Sequence, residues 1–290
     1  MLQLRHVVKT FGRDITAVND VSLDLQSGVV GLIGHNGAGK TTLMQMIATL
    51  ARPSSGEILF QGQDICKKPE AIRRRLGFLP QDFGVYPNLT ALEFMQYFAA
   101  LKGVRNAADR IRQLLALVNL QEQAHKQAAS FSGGMRRRLG IAQALLNDPD
   151  ILIVDEPTAG LDPEERLRFR NLLAELGFQK LVIMSTHIVS DVESIAGQLA
   201  IMRQGRLVAF ESPEAILEAA RGQIWQAEID AGELDALRAQ VHVLHAQRQG
   251  HSVNVRIAHP HAPVRDARAA EPSLEEALMA RRYACMEMPA

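Results

Sequence analysis

The chain contains the stretch Gly34-His35-Asn36-Gly37-Ala38-Gly39-Lys40-Thr41, which matches the phosphate-cradling pattern G-x-x-x-x-G-K-[ST] at every fixed position. The apolar run 29–33 before it predicts a buried strand, and residues 40–50 after it predict a helix with one apolar face. A loop in this setting points backbone N–H groups and the positive end of a helix dipole at an anion. A chance Gly-Lys-Thr in a glycine-rich turn would not account for both flanks.

The residues of this loop have separate expected tasks. Its glycines are expected to let the backbone approach phosphate oxygens, where a Cβ would intrude. Lys40 is expected to reach the β- and γ-phosphates of a nucleotide, and the Thr41 hydroxyl to bind Mg²⁺. The loop alone therefore predicts a nucleoside triphosphate site without saying which reaction occurs there.

Length and composition exclude several classes of protein. The chain has 290 residues and a formal net charge of zero, so bulk electrostatics predict no nucleic-acid partner. Cys66 and Cys285 are far apart in sequence, which favours a reducing compartment. The N-terminus lacks the pattern of a signal peptide, and no apolar run approaches the ~18 residues of a membrane span. Another chain is therefore expected to cross any membrane that this protein serves.

The pattern of apolar residues divides the larger part of the chain into three regions. Strands are predicted before residue 80, helices over about 88–148, and alternating strands and helices from residue 151. Thr90 and Glu93 form the capping-box pattern that begins the first of these helices. The helical region interrupts the alternation and is predicted to be an inserted subdomain.

The pattern changes again near the end of the chain. Strands and a helix are predicted after Ser212-Pro213, followed by a loop over 259–272 and a last helix that begins with a capping box at Ser273. We therefore expect a first domain over 1–215 and a small α+β domain over 216–290.

Two acids follow a fully apolar strand over 151–154. Because open α/β sheets bind ligands at the carboxyl ends of their strands, Asp155 is expected to hold Mg²⁺. Glu156, the next residue, is expected to polarise an attacking water. The alternative is a pair of solvated acids at a strand end, which the loop at 34–41 makes less attractive because the two sites need each other.

A second anion site is predicted at Ser132-Gly133-Gly134, before a basic helix start at residues 136–138. One nucleotide does not need two phosphate sites in one chain. The economical interpretation is that this site closes on a nucleotide held by another subunit, and the alternative is a capped helix after a loop.

Taken in order, these motifs resemble those of the ATP-binding subunit of an ABC (ATP-binding cassette) transporter, most closely the ATPases of prokaryotic ABC-2 type exporters. The resemblance covers about residues 1–215 and rests on the motifs 34–41, Gln81, 132–134, 151–156, 160–162 and His187. It implies an α/β P-loop NTPase fold with a RecA-like core, an antiparallel β-subdomain and the inserted helical subdomain, followed by the small C-terminal domain.

The resemblance also implies roles for individual residues. The catalytic residues would be Glu156, His187, Gln81 and Lys40. The metal ligands for Mg²⁺ would be Thr41, Gln81 and Asp155. Asp162 would lie at the dimer seam. Residues that contact ATP would be Phe11, which stacks on adenine unless it is a core residue of the first sheet, and Gly34, His35, Asn36, Gly37, Ala38, Gly39, Lys40, Thr41, Thr42, Ser132, Gly133 and Gly134.

One motif departs from the family pattern, which usually reads Leu-Ser-Gly-Gly-Gln where this chain has Phe131 to Met135. The serine and both glycines are kept, so phosphate contact is expected to be kept. A thioether is only a weak acceptor, so Met135 cannot replace the hydrogen bonds of the glutamine.

Two further sets of residues leave alternatives open. In the resembled family, the region after Gln81 forms a groove for a helix of the membrane subunit, and the aromatic residues that would line it are Phe83, Tyr86, Phe94, Tyr97 and Phe98. For the last three we favour the alternative, the buried stripe of their own helix. A metal site is conceivable among the C-terminal histidines, but their spacing fits no standard pattern, and these are His242, His245, His251, His259 and His261.

The predicted function is an ATPase that powers a separate transmembrane permease, acting as a head-to-tail homodimer around two ATP molecules on the cytoplasmic face of the cell membrane. An exporter is favoured over an importer. The rivals are a soluble ABC ATPase of translation or DNA repair, and a regulatory ATP-binding scaffold. An intact Glu156 and His187 argue against the scaffold.

Overall fold

The computed structural model describes residues 1–12 and 14–287, with side chains as far as residue 282, so Cys285 lies outside the described side chains. The chain divides into two compact units, Met1–Phe210 and Glu211–Ala290. The predicted boundary at residue 215 falls inside a helix of the second unit, Pro213–Ala220, and stays a prediction. Within the described residues, no helix is both long and apolar enough to cross a membrane.

The first unit alternates strands and helices around a central helical block. Its elements, in chain order, are β1 (Leu2–Phe11), β2 (Ile15–Leu25), β3 (Gly28–Ile33), α1 (Lys40–Ile47), β4 (Ser55–Phe60), β5 (Gln63–Asp64), α2 (Pro69–Arg73), β6 (Leu76–Leu79), α3 (Ala91–Leu101), α4 (Ala107–Leu117), α5 (Gly133–Ala144), β7 (Ile151–Asp155), α6 (Pro163–Gly177), β8 (Leu181–Thr186), α7 (Val189–Glu193), β9 (Gln198–Arg203) and β10 (Arg206–Glu211), whose last residue begins the second unit.

Two sheets organise the first unit. The six-stranded sheet has the order β10-β9-β3-β8-β7-β6, and its β9, β3, β8, β7 and β6 are parallel neighbours. Every residue of β7 and β8 is buried, as expected for central strands covered on both faces. The other sheet has the order β2-β1-β4-β5, with antiparallel pairs throughout.

The sequence locates most helix ends because the signals there are local. The capping box of α3 is present, with the Thr90 hydroxyl accepting from the Glu93 N–H at 3.2 Å and the Glu93 carboxylate accepting from the Thr90 N–H at 2.8 Å. Helix α6 begins at Pro163 and ends at Gly177, as predicted. Helix α1 ends before the predicted residue 50, because Thr49 adopts a left-handed conformation with φ of 60°.

The second unit is a four-stranded antiparallel sheet with helices. Its strand order is β12-β13-β11-β14. Residues 259–272 were expected to be a loop, and they contain the two-residue strand β14, which pairs with β11. The elements, in chain order, are α8 (Pro213–Ala220), β11 (Ile224–Asp230), α9 (Leu234–Gln240), β12 (His242–Gln249), β13 (Ser252–Ala258), β14 (Arg268–Ala269) and α10 (Leu274–Glu287).

One ion pair ties the sheet of the second unit to its last helix. Arg256 donates from Nε and Nη2 to the two carboxylate oxygens of Glu276, the second bond measuring 2.7 Å. Glu276 is also the acid of the predicted capping box, and it accepts from the Ser273 N–H at 2.9 Å. Burial raises the pKa of the Glu276 carboxyl, but the bonds from Arg256 and Ser273 outweigh burial and lower that pKa below its ordinary 4.5.

Replacing Glu276 by Gln is expected to destabilise the second unit by about 2 kcal/mol at neutral pH, because the Arg256 guanidinium loses its charged partner. A carboxyl whose pKa is lowered on folding stabilises above its unfolded pKa and loses that effect as the pH falls through its folded value. The difference between wild type and E276Q should therefore shrink below a pH of about 4.5. Denaturant unfolding followed by the fluorescence of Trp225, in β11, measures it.

The matched control is Glu275→Gln, which alters an exposed neighbour in the same helical turn. Equal unfolding midpoints for E276Q and wild type at neutral pH would contradict the stabilising role of the ion pair.

Candidate nucleotide-binding site

The glycine-rich loop joins the carboxyl end of β3 to the first residue of α1. Gly39 has φ of 99°, and a Cβ there would lie 2.2 Å from the carbonyl oxygen of Ala17. A Cβ on Gly34 would lie 2.5 Å from the carbonyl oxygen of Met202. These glycines were expected to let phosphate oxygens approach the backbone. At Gly34 and Gly39, glycine is also required because a Cβ would collide with a carbonyl oxygen of the chain itself.

Helix α1 offers its first turn to a ligand. Within this helix the structure shows no side-chain cap and no acidic residue in the first turn. The first N–H groups of a helix lack partners inside the helix, and they carry a partial positive charge. The loop therefore ends in the anion-binding helix start that the sequence predicted.

Lys40 is held inside the loop. Its side chain is buried, and its ammonium donates to the carbonyl oxygens of Gly34 at 2.5 Å and His35 at 3.3 Å. Burial lowers the pKa of Lys40, while the negative charges of Glu156 and Asp155 act in the opposite direction. The Lys40 ammonium therefore lies within the electrostatic field of the two acids at the end of β7.

The acids are joined to β8 by hydrogen bonds. The Ser185 hydroxyl donates to Asp155 Oδ1 at 2.5 Å, and it accepts from the Glu156 N–H at 2.9 Å. Glu156 Oε2 lies 2.7 Å from His187 Nδ1. The structure thus brings Asp155, Glu156 and His187, which the sequence named separately, into one hydrogen-bonded group.

Glu156 has a strained backbone. Its φ is 46°, in the left-handed region, which costs a non-glycine residue roughly 1–3 kcal/mol. Such strain persists only where the surroundings fix the backbone, and here the Glu156 N–H is bound by both the hydroxyl and, at 3.2 Å, the carbonyl of Ser185. Strained residues cluster at functional sites.

A hydrogen bond between two buried side chains holds the segment that follows Glu156. The Thr158 hydroxyl donates to Asp191 Oδ2 at 2.5 Å, and Asp191 is fully buried. Arg166 of α6 lies 3.7 Å from the other oxygen of Asp191. This group connects the segment after Glu156 to the helix that follows His187.

The predicted second anion site is the N-terminus of α5. Ser132 is its N-cap and accepts from the Met135 N–H at 3.2 Å, and both Ser132 and Gly133 are exposed. Gly134 is buried, and a Cβ there would lie 2.8 Å from a carboxylate oxygen of Glu165. The departure at Met135 keeps the cap, since the cap uses only the backbone of that residue.

Gln81 lies beside the same helix start. Together with Asp82, Gly133, Arg137 and Gly160, it lines a cavity of about 520 Å³. Burial lowers the pKa of the Arg137 guanidinium, and the charges of Asp82, Glu156 and Asp155 act against that shift. The cavity therefore connects the loop of Gln81, the start of α5 and the segment after β7.

Phe11 lies at the end of β1, and 45% of it is exposed. The Lys9 ammonium lies 5.0 Å from the centre of its ring. The alternative of a core phenylalanine does not fit this exposure. Stacking on adenine stays a prediction.

The aromatic residues after Gln81 form one cluster. Tyr86 contacts the rings of Phe94, Tyr97 and Phe98 at centroid distances of 5.4–6.4 Å. Phe94 is fully buried, as the favoured interpretation requires, but 43% of Tyr97 is exposed, so the interpretation as a buried stripe is wrong for Tyr97. Tyr86 is exposed as well, at 49%. The cluster is therefore a buried base with an exposed aromatic edge.

The sequence left a metal site open among the histidines of the second unit. In the described residues, no group of three or more His, Cys, Asp or Glu side chains is placed to hold a metal ion. His259 Nδ1 instead lies 2.6 Å from the carbonyl oxygen of His261.

Sequence reasoning missed Ser185, Thr158 and Asp191. A serine at the end of an otherwise apolar strand, two residues before a proposed catalytic histidine, was the available signal for Ser185. No pattern in the sequence indicates that Thr158 and Asp191 meet, because the contact joins a loop to the helix α7, 33 residues further along the chain.

A parallel sheet with this loop, this helix start and acids on a neighbouring strand defines a P-loop nucleoside triphosphatase. Comparison with known proteins narrows the class. A family model described as "ABC transporter" matches residues 18–159. The chain is 37% identical to a Nod factor export ATP-binding protein I of Cupriavidus metallidurans, over 82% of this chain and 79% of that protein. It is also 37% identical to the ABC transporter ATP-binding protein NatA of Bacillus subtilis, over 72% of this chain and 87% of that one.

Solved structures agree. The dimeric post-hydrolysis state of the ATP-binding cassette MJ0796, bound to ADP and Pi, superposes with a TM-score of 0.66 and 28% identity, over 73% of this chain and 98% of that one. The chain belongs to the ABC transporter family. It is the ATP-binding and ATP-hydrolysing subunit of a transporter. The comparisons thus confirm the predicted fold class and function, and they do not support the soluble rival or the scaffold.

Replacing Glu156 by Gln is expected to lower the rate of ATP hydrolysis by ~10²–10⁴-fold, because an amide cannot accept a proton from water. ATP binding should persist, since the Lys40 loop is unchanged. Phosphate release at saturating ATP and equilibrium binding of a fluorescent ATP analogue measure the two effects. Glu175→Gln, an exposed residue of α6, is the control. Wild-type hydrolysis by E156Q would show that the role of Glu156 is wrong.

Proposed function

We propose that two copies of this chain close head to tail around two ATP molecules and thereby drive a membrane permease. The observation that carries the proposal is the exposed N-terminus of α5. Ser132 and Gly133 face solvent, whereas Lys40 and the acids are buried in their own chain. A second anion-binding helix start that is exposed is suited to a phosphate held by another subunit.

Each active site would combine groups from both chains. One chain supplies the loop of residues 34–41 with Lys40 on the β- and γ-phosphates, and Glu156 takes a proton from the attacking water. His187 holds the Glu156 carboxylate through their 2.7 Å bond. The other chain would supply Ser132 and Gly134 to the γ-phosphate. Asp162, which caps α6 in its own chain, would lie at the dimer seam.

The donor set fits Mg²⁺, which prefers hard oxygen ligands. Asp155 Oδ1 is engaged by Ser185, which leaves Oδ2 for a metal ion. Thr41, in the first turn of α1, and Gln81, after β6, would supply the other oxygens. Bound Mg²⁺ would neutralise charge that develops on the phosphate oxygens.

The relatives favour export. One is named for the export of Nod factor, and this chain spans 79% of that relative's length. We therefore propose an exporter whose permease is a separate transmembrane chain, with this subunit bound at the cytoplasmic face of the membrane.

The aromatic cluster is the proposed docking site for that permease. Tyr86 and Tyr97 present exposed rings above the buried Phe94. A short amphipathic helix of the permease would place apolar side chains against this edge. The cluster begins at Tyr86, five residues after Gln81, so the proposed docking site follows directly on a segment of the nucleotide site.

A mixing experiment tests the shared site. Ser132→Asp keeps the helix cap, because Asp caps as well as Ser, but it repels the γ-phosphate. Lys40→Ala removes the phosphate contact in the other half of the site. Each variant alone should be inactive. An equal mixture should recover about a quarter of the wild-type rate of ATP hydrolysis, since half of the random dimers are mixed and each of them has one intact site of two.

Recovery depends on the two defects lying in different halves of a site. An inactive mixture, with both variants as thermally stable as wild type, would contradict the head-to-tail dimer.

The docking proposal predicts a separate loss. The double substitution of Tyr86 and Tyr97 by Ala should abolish co-purification of the permease in detergent, while ATP hydrolysis by the isolated subunit stays unchanged. Phe178→Ala removes another exposed aromatic ring, on the segment after α6, and is the matched control. Equal recovery of permease by wild type and the tyrosine variant would place the docking site elsewhere.

A further inference from the structure

Ser185 is a polar residue buried near the carboxyl end of β8, an inner strand of the parallel sheet. It follows four apolar residues of β8 and has no exposed surface. In the parallel register, Ser185 lies opposite Asp155 of β7. A hydroxyl at such a place is costly unless its hydrogen bonds are made, so its partners indicate why it is there.

Both partners belong to the acids that close the nucleotide site. The hydroxyl donates to Asp155 Oδ1 at 2.5 Å and accepts from the backbone N–H of Glu156 at 2.9 Å. One side chain therefore uses its donor on the carboxylate proposed to hold the metal and its acceptor on the backbone of the proposed base.

The second bond acts on a strained residue. Glu156 has φ of 46°, and its N–H also donates to the carbonyl of Ser185, at a longer 3.2 Å. The Glu156 carboxylate extends from this backbone, and it meets His187 Nδ1 at 2.7 Å. Loss of the hydroxyl would release both acids at once.

We propose that Ser185 is a positioning residue that sets the Asp155 carboxylate for Mg²⁺ and the Glu156 carboxylate for the attacking water. The proposal rests on the roles proposed above for those two acids. It assigns no contact between Ser185 and the nucleotide.

Replacing Ser185 by Ala tests the proposal. Each lost hydrogen bond is to a charged or strained group, so kcat for ATP hydrolysis is expected to fall by about 10–100-fold, with little change in the KM for ATP at saturating Mg²⁺. A measurement that does not depend on hydrolysis is the Mg²⁺ concentration for half-maximal binding of a fluorescent ATP analogue, which is expected to rise about tenfold.

Two companion variants separate positioning from stability. Ser185→Thr keeps the hydroxyl and should restore both quantities to near wild type. Ile183→Val, on the same strand, should cost about 1 kcal/mol of stability and leaves the hydrogen bonds of Ser185 to both acids in place, so kcat and the Mg²⁺ requirement should stay unchanged. Thermal unfolding midpoints should show whether S185A and I183V are destabilised to a similar degree.

The proposal is overturned if S185A keeps the wild-type kcat and Mg²⁺ requirement, if S185T is as impaired as S185A in both, or if I183V shows the same losses. Failure of the underlying roles is recognised separately. In that case E156Q hydrolyses ATP at the wild-type rate, whereas failure of the Ser185 proposal alone leaves E156Q inactive and S185A active.

Discussion

The parallel pairing of β3, β8 and β7 determines where the functional groups lie. In this register Ile33 is opposite Thr186, and Asp155 is opposite Ser185. The three strands therefore end at the same edge of the sheet, and the segments that follow them begin side by side. Residues far apart in sequence, such as Lys40, Glu156 and His187, become neighbours because their strands share this edge.

Burial at that edge makes the site rigid at an energetic cost. Asp155, Ser185, Thr158 and Asp191 are all buried polar residues, and each is bound by another polar group. A buried polar group without a hydrogen bond would cost about 1–3 kcal/mol. Rotamers that break these hydrogen bonds are therefore disfavoured. The strained backbone of Glu156 is tolerated because its N–H is held by the hydroxyl and the carbonyl of Ser185.

Local signals explain how much of this could be predicted from the sequence. Some signals lie within a few residues of the structure that they determine. These are the capping box at Thr90 for the start of α3, the proline and glycine for the ends of α6, and the apolar run for β7. Strands β5 and β14, of two residues each, have no periodicity to detect. The early end of α1 and the reason for Gly39 depend on contacts that no local pattern contains.

The site itself divides in the same way. Motifs identified the acids, Lys40 and His187, but they could not identify Ser185 or Asp191. Ser185 matters through pairing between strands, and Asp191 through a contact between a helix and a loop. The exposed start of α5 adds a further consequence. Ser132 already caps α5 within its own chain and still faces solvent. In the proposed head-to-tail dimer, the phosphate bound there would belong to ATP held by a second copy. ATP bound to one copy would then be the contact that holds the second copy, and hydrolysis would remove that contact.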